Sequence, residues 1–110
     1  MRLIAKADSN QREIVAALRA IGATVQHLHQ VGEGCPDIVV GYRGINWLFE
    51  IKRGGGATLT PAERKWAASW RGQYAVVWNV TQAVTIVQGE YYAGMDDVGR
   101  NAYYRDVTNG

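Results

Sequence analysis

Apolar residues at Ile14, Val15, Leu18 and Ile21 recur three and four positions apart, which predicts an amphipathic helix. Asp8, Ser9 and Asn10 precede them as N-cap candidates, and Gly22, lacking a Cβ, suits the position just past the last turn. Over 24–31 the pattern changes to alternation, with Val25 followed by polar Gln26 and later Gln30, and predicts a half-buried strand. Gly32 and Gly34 break it, and Pro36 fixes the entry to a second strand of Ile38, Val39 and Val40. That strand ends at Gly41 and a turn of Tyr42, Arg43 and Gly44, after which 46–52 forms a third strand rich in Trp, Leu, Phe and Ile. So short a connection makes strands two and three an antiparallel hairpin.

The second half opens on a flexible link, Gly54-Gly55-Gly56, followed by the clearest local signal in the chain. Thr60 can cap a helix, Pro61 fits its first position, and Glu63 stands where a capping box needs a carboxylate. The helix carries Trp66, Ala67 and Trp70 at core spacing and ends near Gly72. A fourth strand over 74–80 is mostly apolar, as expected of one covered on both faces. Residues 81–88 fit either a short helix or a strand. Beyond Gly89 the chain turns polar, with Tyr91, Tyr92, Tyr103 and Tyr104 as islands, and reads as a frayed end or an arm that packs on a partner. The predicted order is α-β-β-β-α-β.

Composition narrows this only a little. The 110 residues suit a single domain, with a core over about 8–88 and a tail over about 89–110. So small a domain buries a modest fraction of its surface, so a homodimer is a natural expectation. Cys35 is the lone cysteine, which excludes an internal disulfide and a cysteine-based zinc site. The first residues lack the apolar core of a secretory signal, and no apolar run approaches a membrane span. A soluble cytoplasmic protein is the default expectation. Net charge is only +2, which permits nucleic-acid binding without arguing for it.

Candidate chemistry enters with three charged residues that interrupt the apolar strands. Asp37 opens the second strand, and Glu50 and Lys52 close the third. Side chains alternate along a strand, so Glu50 and Lys52 share a face, and hairpin pairing can bring Asp37 beside Glu50. Two neighbouring carboxylates repel unless a cation lies between them, and hard oxygen ligands suit Mg²⁺ or Mn²⁺. The Ile51 carbonyl offers a further ligand, and Lys52 can orient a water or stabilise charge on a phosphate. Each residue has a plain structural explanation too. Glu-x-Lys on an edge strand is commonly a solvated pair, and Asp after Pro is commonly a turn residue. Charges that interrupt apolar strands tilt the balance toward function.

The segment Gly32-Glu33-Gly34-Cys35-Pro36-Asp37 followed by Glu50-Ile51-Lys52 resembles the signature of the PD-(D/E)XK nucleases. More narrowly, it is similar to the VRR-NUC branch and its small phage members. The likeness runs from about 8 to about 88 and includes the Leu59-Thr60-Pro61 helix start. The resemblance implies an α/β, restriction-endonuclease-like core: a mixed sheet flanked by helices. It further implies DNA phosphodiester hydrolysis by an endonuclease that uses Mg²⁺ or Mn²⁺, with branched or structured DNA such as Holliday junctions as one expected substrate. Compact standalone relatives tend to be homodimers, in bacterial or phage-infected cells. By position, Asp37 and Glu50 would be metal ligands and Lys52 the catalytic lysine. Many members add an acid from the first helix. Glu13 is the candidate here, with a solvent-facing helix charge as the equal alternative. Some relatives carry a Gln in the second helix near the site; this chain has Glu63 there, which reads mainly as a cap.

Weaker signals complete the picture. Gly34 can let a nucleic-acid backbone approach or simply allow a positive φ. Arg43 in the hairpin turn and Arg53 after the third strand can follow a phosphate backbone or be solvated charges. Glu33 is expected to face solvent, and His27 and His29 to be ordinary histidines rather than metal ligands. Trp66 and Trp70 read as core rather than base-stacking residues, and Cys35 as a small filler. The main rival to a nuclease is a nucleic-acid-binding or assembly module that kept the fold and lost turnover. Retention of all three of Asp37, Glu50 and Lys52 argues against it.

Overall fold

The computed structural model describes residues 6–53 and 58–89. The glycine link at 54–56 and the tyrosine-bearing tail beyond 89 lie outside the described residues. The element order is α1 (Lys6–Ala20), β1 (Thr24–His27), β2 (Ile38–Tyr42), β3 (Ile45–Ile51), α2 (Pro61–Ser69), β4 (Tyr74–Val77) and α3 (Val80–Val87). The expected α-β-β-β-α-β order is present, with α3 added at its end.

Helix α1 buries Ile14, Val15 and Leu18 along one stripe. It stops in a Schellman arrangement, in which the Ala23 N–H donates to the Leu18 carbonyl and the Gly22 N–H to that of Arg19, both at 3.0 Å. β1, β2 and β3 pair antiparallel in sequence, and β4 joins β3 in parallel, so the spatial order is β1-β2-β3-β4. The β2–β3 turn has two central residues, Arg43 and Gly44, both at positive φ (53° and 80°), the geometry whose twist suits a tight hairpin. A parallel neighbour cannot be reached by so short a turn. The chain between β3 and β4 crosses over through α2 instead.

The sheet separates two apolar clusters. On one face α1 and α3 cover Ile38, Val40, Trp47, Phe49, Ile51, Ala75 and Val77. On the other, Leu59, Trp66 and Ala67 from the α2 region pack on Leu48, Tyr74 and Val76. β4 is buried along its whole length, as its apolar composition requires. The two readings left open for 81–88 resolve to a helix. Asn79 caps it by accepting from the Gln82 N–H at 2.8 Å, and Ala83, Ile86 and Val87 are buried at helical spacing.

Four expectations need correction. α1 already includes Lys6, so Asp8, Ser9 and Asn10, read as N-cap candidates, lie within the helix. β1 ends at His27 rather than near residue 31. The Leu28 N–H donates to the Asp37 carbonyl, and the Val31 N–H then closes a turn on the Leu28 carbonyl, reversing the chain toward β2. Val31 is consequently 62% exposed. β4 ends at Val77 rather than near 80, because Asn79 is committed to capping α3. Trp70 is not a core residue. It lies at the C-cap of α2, 44% exposed, stacked on Trp66 with ring centroids 4.7 Å apart.

Candidate active site

Pro36 is fully buried and sets the chain into β2 just before Ile38. Asp37, between them, is held at both backbone groups: its N–H donates to the Phe49 carbonyl at 3.0 Å, and its carbonyl accepts from Leu28 at 2.9 Å. Its side chain turns to the end of β3, where Oδ2 accepts from the Ile51 N–H at 2.7 Å. Extending the pairing Ile38↔Phe49 by one residue sets Asp37 opposite Glu50. The strand register thus sets the two acids side by side.

Glu50 lies on the α2 face of β3, between the buried residues Phe49 and Ile51, which point to the opposite face. It is 3% exposed and is the one buried charged residue among the described residues. Burial, then the charges of Asp37 and Glu63, push its carboxyl up to about 9, against a smaller opposing effect from Lys52. Asp37 is also raised, by burial first, although the Ile51 N–H pulls it down. Crowded in this way, Glu50 is held in its protonated form at neutral pH, with the Lys52 ammonium 3.6 Å away.

Lys52 follows the last residue of β3, its backbone N–H donating to the Val77 carbonyl at 3.0 Å. Its ammonium reaches Glu63 Oε1 at 2.7 Å and Glu50 Oε2 at 3.6 Å. Burial disfavours the charged amine, but the Glu63 hydrogen bond and the surrounding carboxylates outweigh it, so its pKa is raised. Burial likewise works against the Glu63 carboxylate, and the bonds from Lys52 and Thr60 overcome it and lower its pKa. The capping box read from the sequence is present, with Thr60 N–H to Glu63 Oε1 at 2.8 Å and Glu63 N–H to Thr60 Oγ1 at 3.2 Å. Glu63 is therefore a cap and a member of the charged cluster at once. Its capping role was legible in sequence, and its partner Lys52 was not.

Asp37, Glu50, Ile51 and Lys52 thus meet at one end of the sheet, and Arg53 follows them, exposed. Gly34 lies alongside, with φ of +81°, and an added Cβ would collide with the Ala62 carbonyl and the Glu63 nitrogen. Its lack of a side chain is explained by this close approach to α2. Arg43 is at the other end of the hairpin, a whole strand away (about 17 Å for the five residues of β2). There it contacts the Tyr42 ring at 4.9 Å and donates to the Gln88 carbonyl at 3.4 Å. Glu13 is exposed on α1, and its side chain has no hydrogen bond or ion pair to another described residue. Asn10, on the same helix, does reach the site end, donating to the Lys52 and Trp78 carbonyls at 3.0 and 3.1 Å. Glu33 is exposed, as are His27 and His29. Burial, then Glu50 and Asp37, raise the Cys35 thiol, which disfavours a nucleophilic thiolate.

Among the described residues no three His, Cys, Asp or Glu side chains are grouped to hold a metal ion. The donor set is instead two carboxylates and a backbone carbonyl. In an extended strand the N–H and C=O of one residue point the same way. The Ile51 N–H is directed at Asp37, so its carbonyl faces that edge as well. Few protein oxygens, all hard, fit Mg²⁺ or Mn²⁺ better than a softer ion.

No family model matches the chain, and no curated protein does. Among solved structures, one described as a VRR_NUC domain is similar with a TM-score of 0.66 and 22% identity, over 77% of this chain and 97% of that one. At that identity the likeness concerns the fold, and it agrees with the mixed sheet and flanking helices expected from the Pro36-Asp37 and Glu50-Ile51-Lys52 motifs. The chain has a fold similar to that of a VRR_NUC domain.

Proposed function

We propose that the chain is a divalent-metal-dependent DNA endonuclease. The observation that carries this reading is the convergence of Asp37, Glu50 and Lys52 at one sheet end, with Glu50 buried. In a protein without catalysis, an apolar side chain at position 50 would avoid the cost of burying an acid. In this reading Asp37, Glu50 and the Ile51 carbonyl hold Mg²⁺ or Mn²⁺. When bound, such a cation polarises a phosphate oxygen and makes water a better nucleophile. Lys52, kept charged by its carboxylate neighbours, supplies positive charge for the phosphate and a donor that can orient the attacking water. The Ile51 N–H fixes Asp37 so that its carboxylate is aimed without conformational search.

Arg53 follows the site directly, and we assign it a phosphate contact beside the cleavage position. Arg43 is assigned a second, distant backbone contact. Among the described residues the Glu13 side chain has no partner, and it is assigned to the substrate side of α1. A pair of such sites in a homodimer would suit a branched junction, and mass measurement in solution tests that arrangement.

The deciding experiment titrates Mg²⁺ and Mn²⁺ with linear and four-way-junction DNA. Cleavage is expected to require the cation and to fall by at least about a hundredfold in Asp37→Ala and Glu50→Ala. Cleavage retained by either variant sinks the assigned site. DNA binding without cleavage at any cation concentration favours a binding module instead.

A further inference from the structure

We propose that Glu63 is a positioning residue that aims the Lys52 ammonium, an assignment that rests on the nuclease reading of Lys52. A capping box needs only the Thr60 N–H, yet the same Glu63 Oε1 that accepts it at 2.8 Å also accepts from Lys52 Nζ at 2.7 Å. Glu63 is the nearer of the two acids ion-paired with Lys52, since Glu50 Oε2 lies at 3.6 Å. Lys52 stands just past the end of β3 on a four-carbon stem, and nothing in the strand ladder fixes its head group.

The Glu63 carboxylate is held from several directions. Its own N–H donates to Thr60 Oγ1 at 3.2 Å, and Pro61 stands at the start of the helix. Gly34 packs against the Ala62 and Glu63 backbone, so the first turn of α2 is wedged against the loop that leads to Asp37. The turn that delivers one acid and the helix that aims the ammonium are therefore built as one unit. Without Glu63, the ammonium's other ion-pair partner is Glu50, and the head group would fall back toward the carboxylates assigned to the cation.

The test compares Glu63→Ala, Glu63→Asp and Glu63→Gln with Asn79→Ala, which removes the N-cap of α3 on the opposite face. Glutamine keeps an oxygen that can accept from both Thr60 and Lys52; aspartate keeps an acid in the first turn but falls one methylene short. Glu63→Ala and Glu63→Asp are expected to lower kcat by about tenfold or more with KM little changed. Glu63→Gln is expected to restore most of kcat, and Asn79→Ala to keep it. Independently of cleavage, acetylation of Lys52 by acetic anhydride, read by mass spectrometry against Lys65, should rise severalfold in Glu63→Asp and not in Glu63→Gln. Unchanged Lys52 acetylation in Glu63→Asp overturns the proposal, as does a kcat loss no greater than that of Asn79→Ala. If the wild-type protein cleaves no DNA, the nuclease reading fails, and acetylation alone decides whether Glu63 holds Lys52. Should Glu63→Ala not fold, the Asp and Gln variants carry the comparison.

Discussion

At the scale of single residues, Glu50 carries the largest electrostatic cost in the described chain. Burial beside Asp37 and Glu63 moves its carboxyl from the ordinary value of 4.5 to about 9. A raised folded-state pKa means that the folded, metal-free protein holds a proton that the unfolded chain has already lost. The contribution of this group to stability is thus fully present below pH 4.5 and is lost as pH rises through about 9. Removing the charge should relieve that loss. Glu50→Gln is expected to raise the metal-free melting temperature at pH 8 by several degrees (about 4–8 °C per kcal/mol for a domain this small). The gain should shrink at pH 5. Calorimetry in EDTA at the two pH values checks the sign, and a Glu50→Gln protein that melts lower at pH 8 contradicts it. Gly34 gives a second expectation at this scale. Its φ of +81° and its contact with α2 leave no space for a methyl group. Gly34→Ala should cost roughly 2 kcal/mol or more in urea unfolding, and a loss under about half that would show that the loop yields easily.

At the scale of elements, α2 is the hinge between stability and chemistry. It has no fully buried residue of its own, and its hold on the sheet comes from Trp66 and Ala67 against Tyr74, Val76 and Leu48. Trp66 also packs at 5.8 Å from Tyr74, whereas Trp70 stacks on Trp66 from the solvent side. Trp66→Ala should therefore cost about 2 kcal/mol or more and Trp70→Ala clearly less. Equal losses in chemical denaturation would show that the two rings act as one packing unit. The capping box at Thr60 and Glu63 was legible because it is local: its residues are three apart and answer to backbone geometry alone. Trp66 packs on the sheet as expected, but Trp70 was misjudged for the complementary reason. Their spacing shows that they share a helix stripe, but the helix ends before Trp70, and burial depends on what that stripe meets.

At the scale of the whole molecule, the charged cluster forms because the open end of the β2–β3 hairpin and the start of the α2 crossover meet at the same end of the sheet. Asp37 comes from one strand, Glu50 and Lys52 from the next, and Glu63 from the helix that leads to β4. A cation held there would displace the proton on Glu50, so its stabilising effect is expected to grow with pH. Thermal upshift by Mn²⁺ should be larger at pH 8 than at pH 6, and absent in Glu50→Gln. An upshift independent of pH, or one that survives Glu50→Gln, would mean that the cation binds elsewhere. The same architecture separates the two arginines, Arg53 beside the charged cluster and Arg43 a full strand length away. If both touch DNA, they touch it at different places.

The chain's local patterns determined much by themselves. Helical spacing at Ile14, Val15 and Leu18 marked α1, the short turn between strands two and three marked the hairpin, and Thr60-Pro61-Glu63 marked the start of α2. Asp37 and Glu50 could be paired in advance because hairpin register is set by a short turn. Only the tertiary structure decided where β1 and β4 stop, that 80–87 is a helix, and that Trp70 faces solvent. Only it brought Glu63 to Lys52, because that contact crosses from strand to helix through a glycine-lined approach. Local patterns record the energies of neighbours in sequence. The ends of strands and the partners of charges depend on neighbours in space.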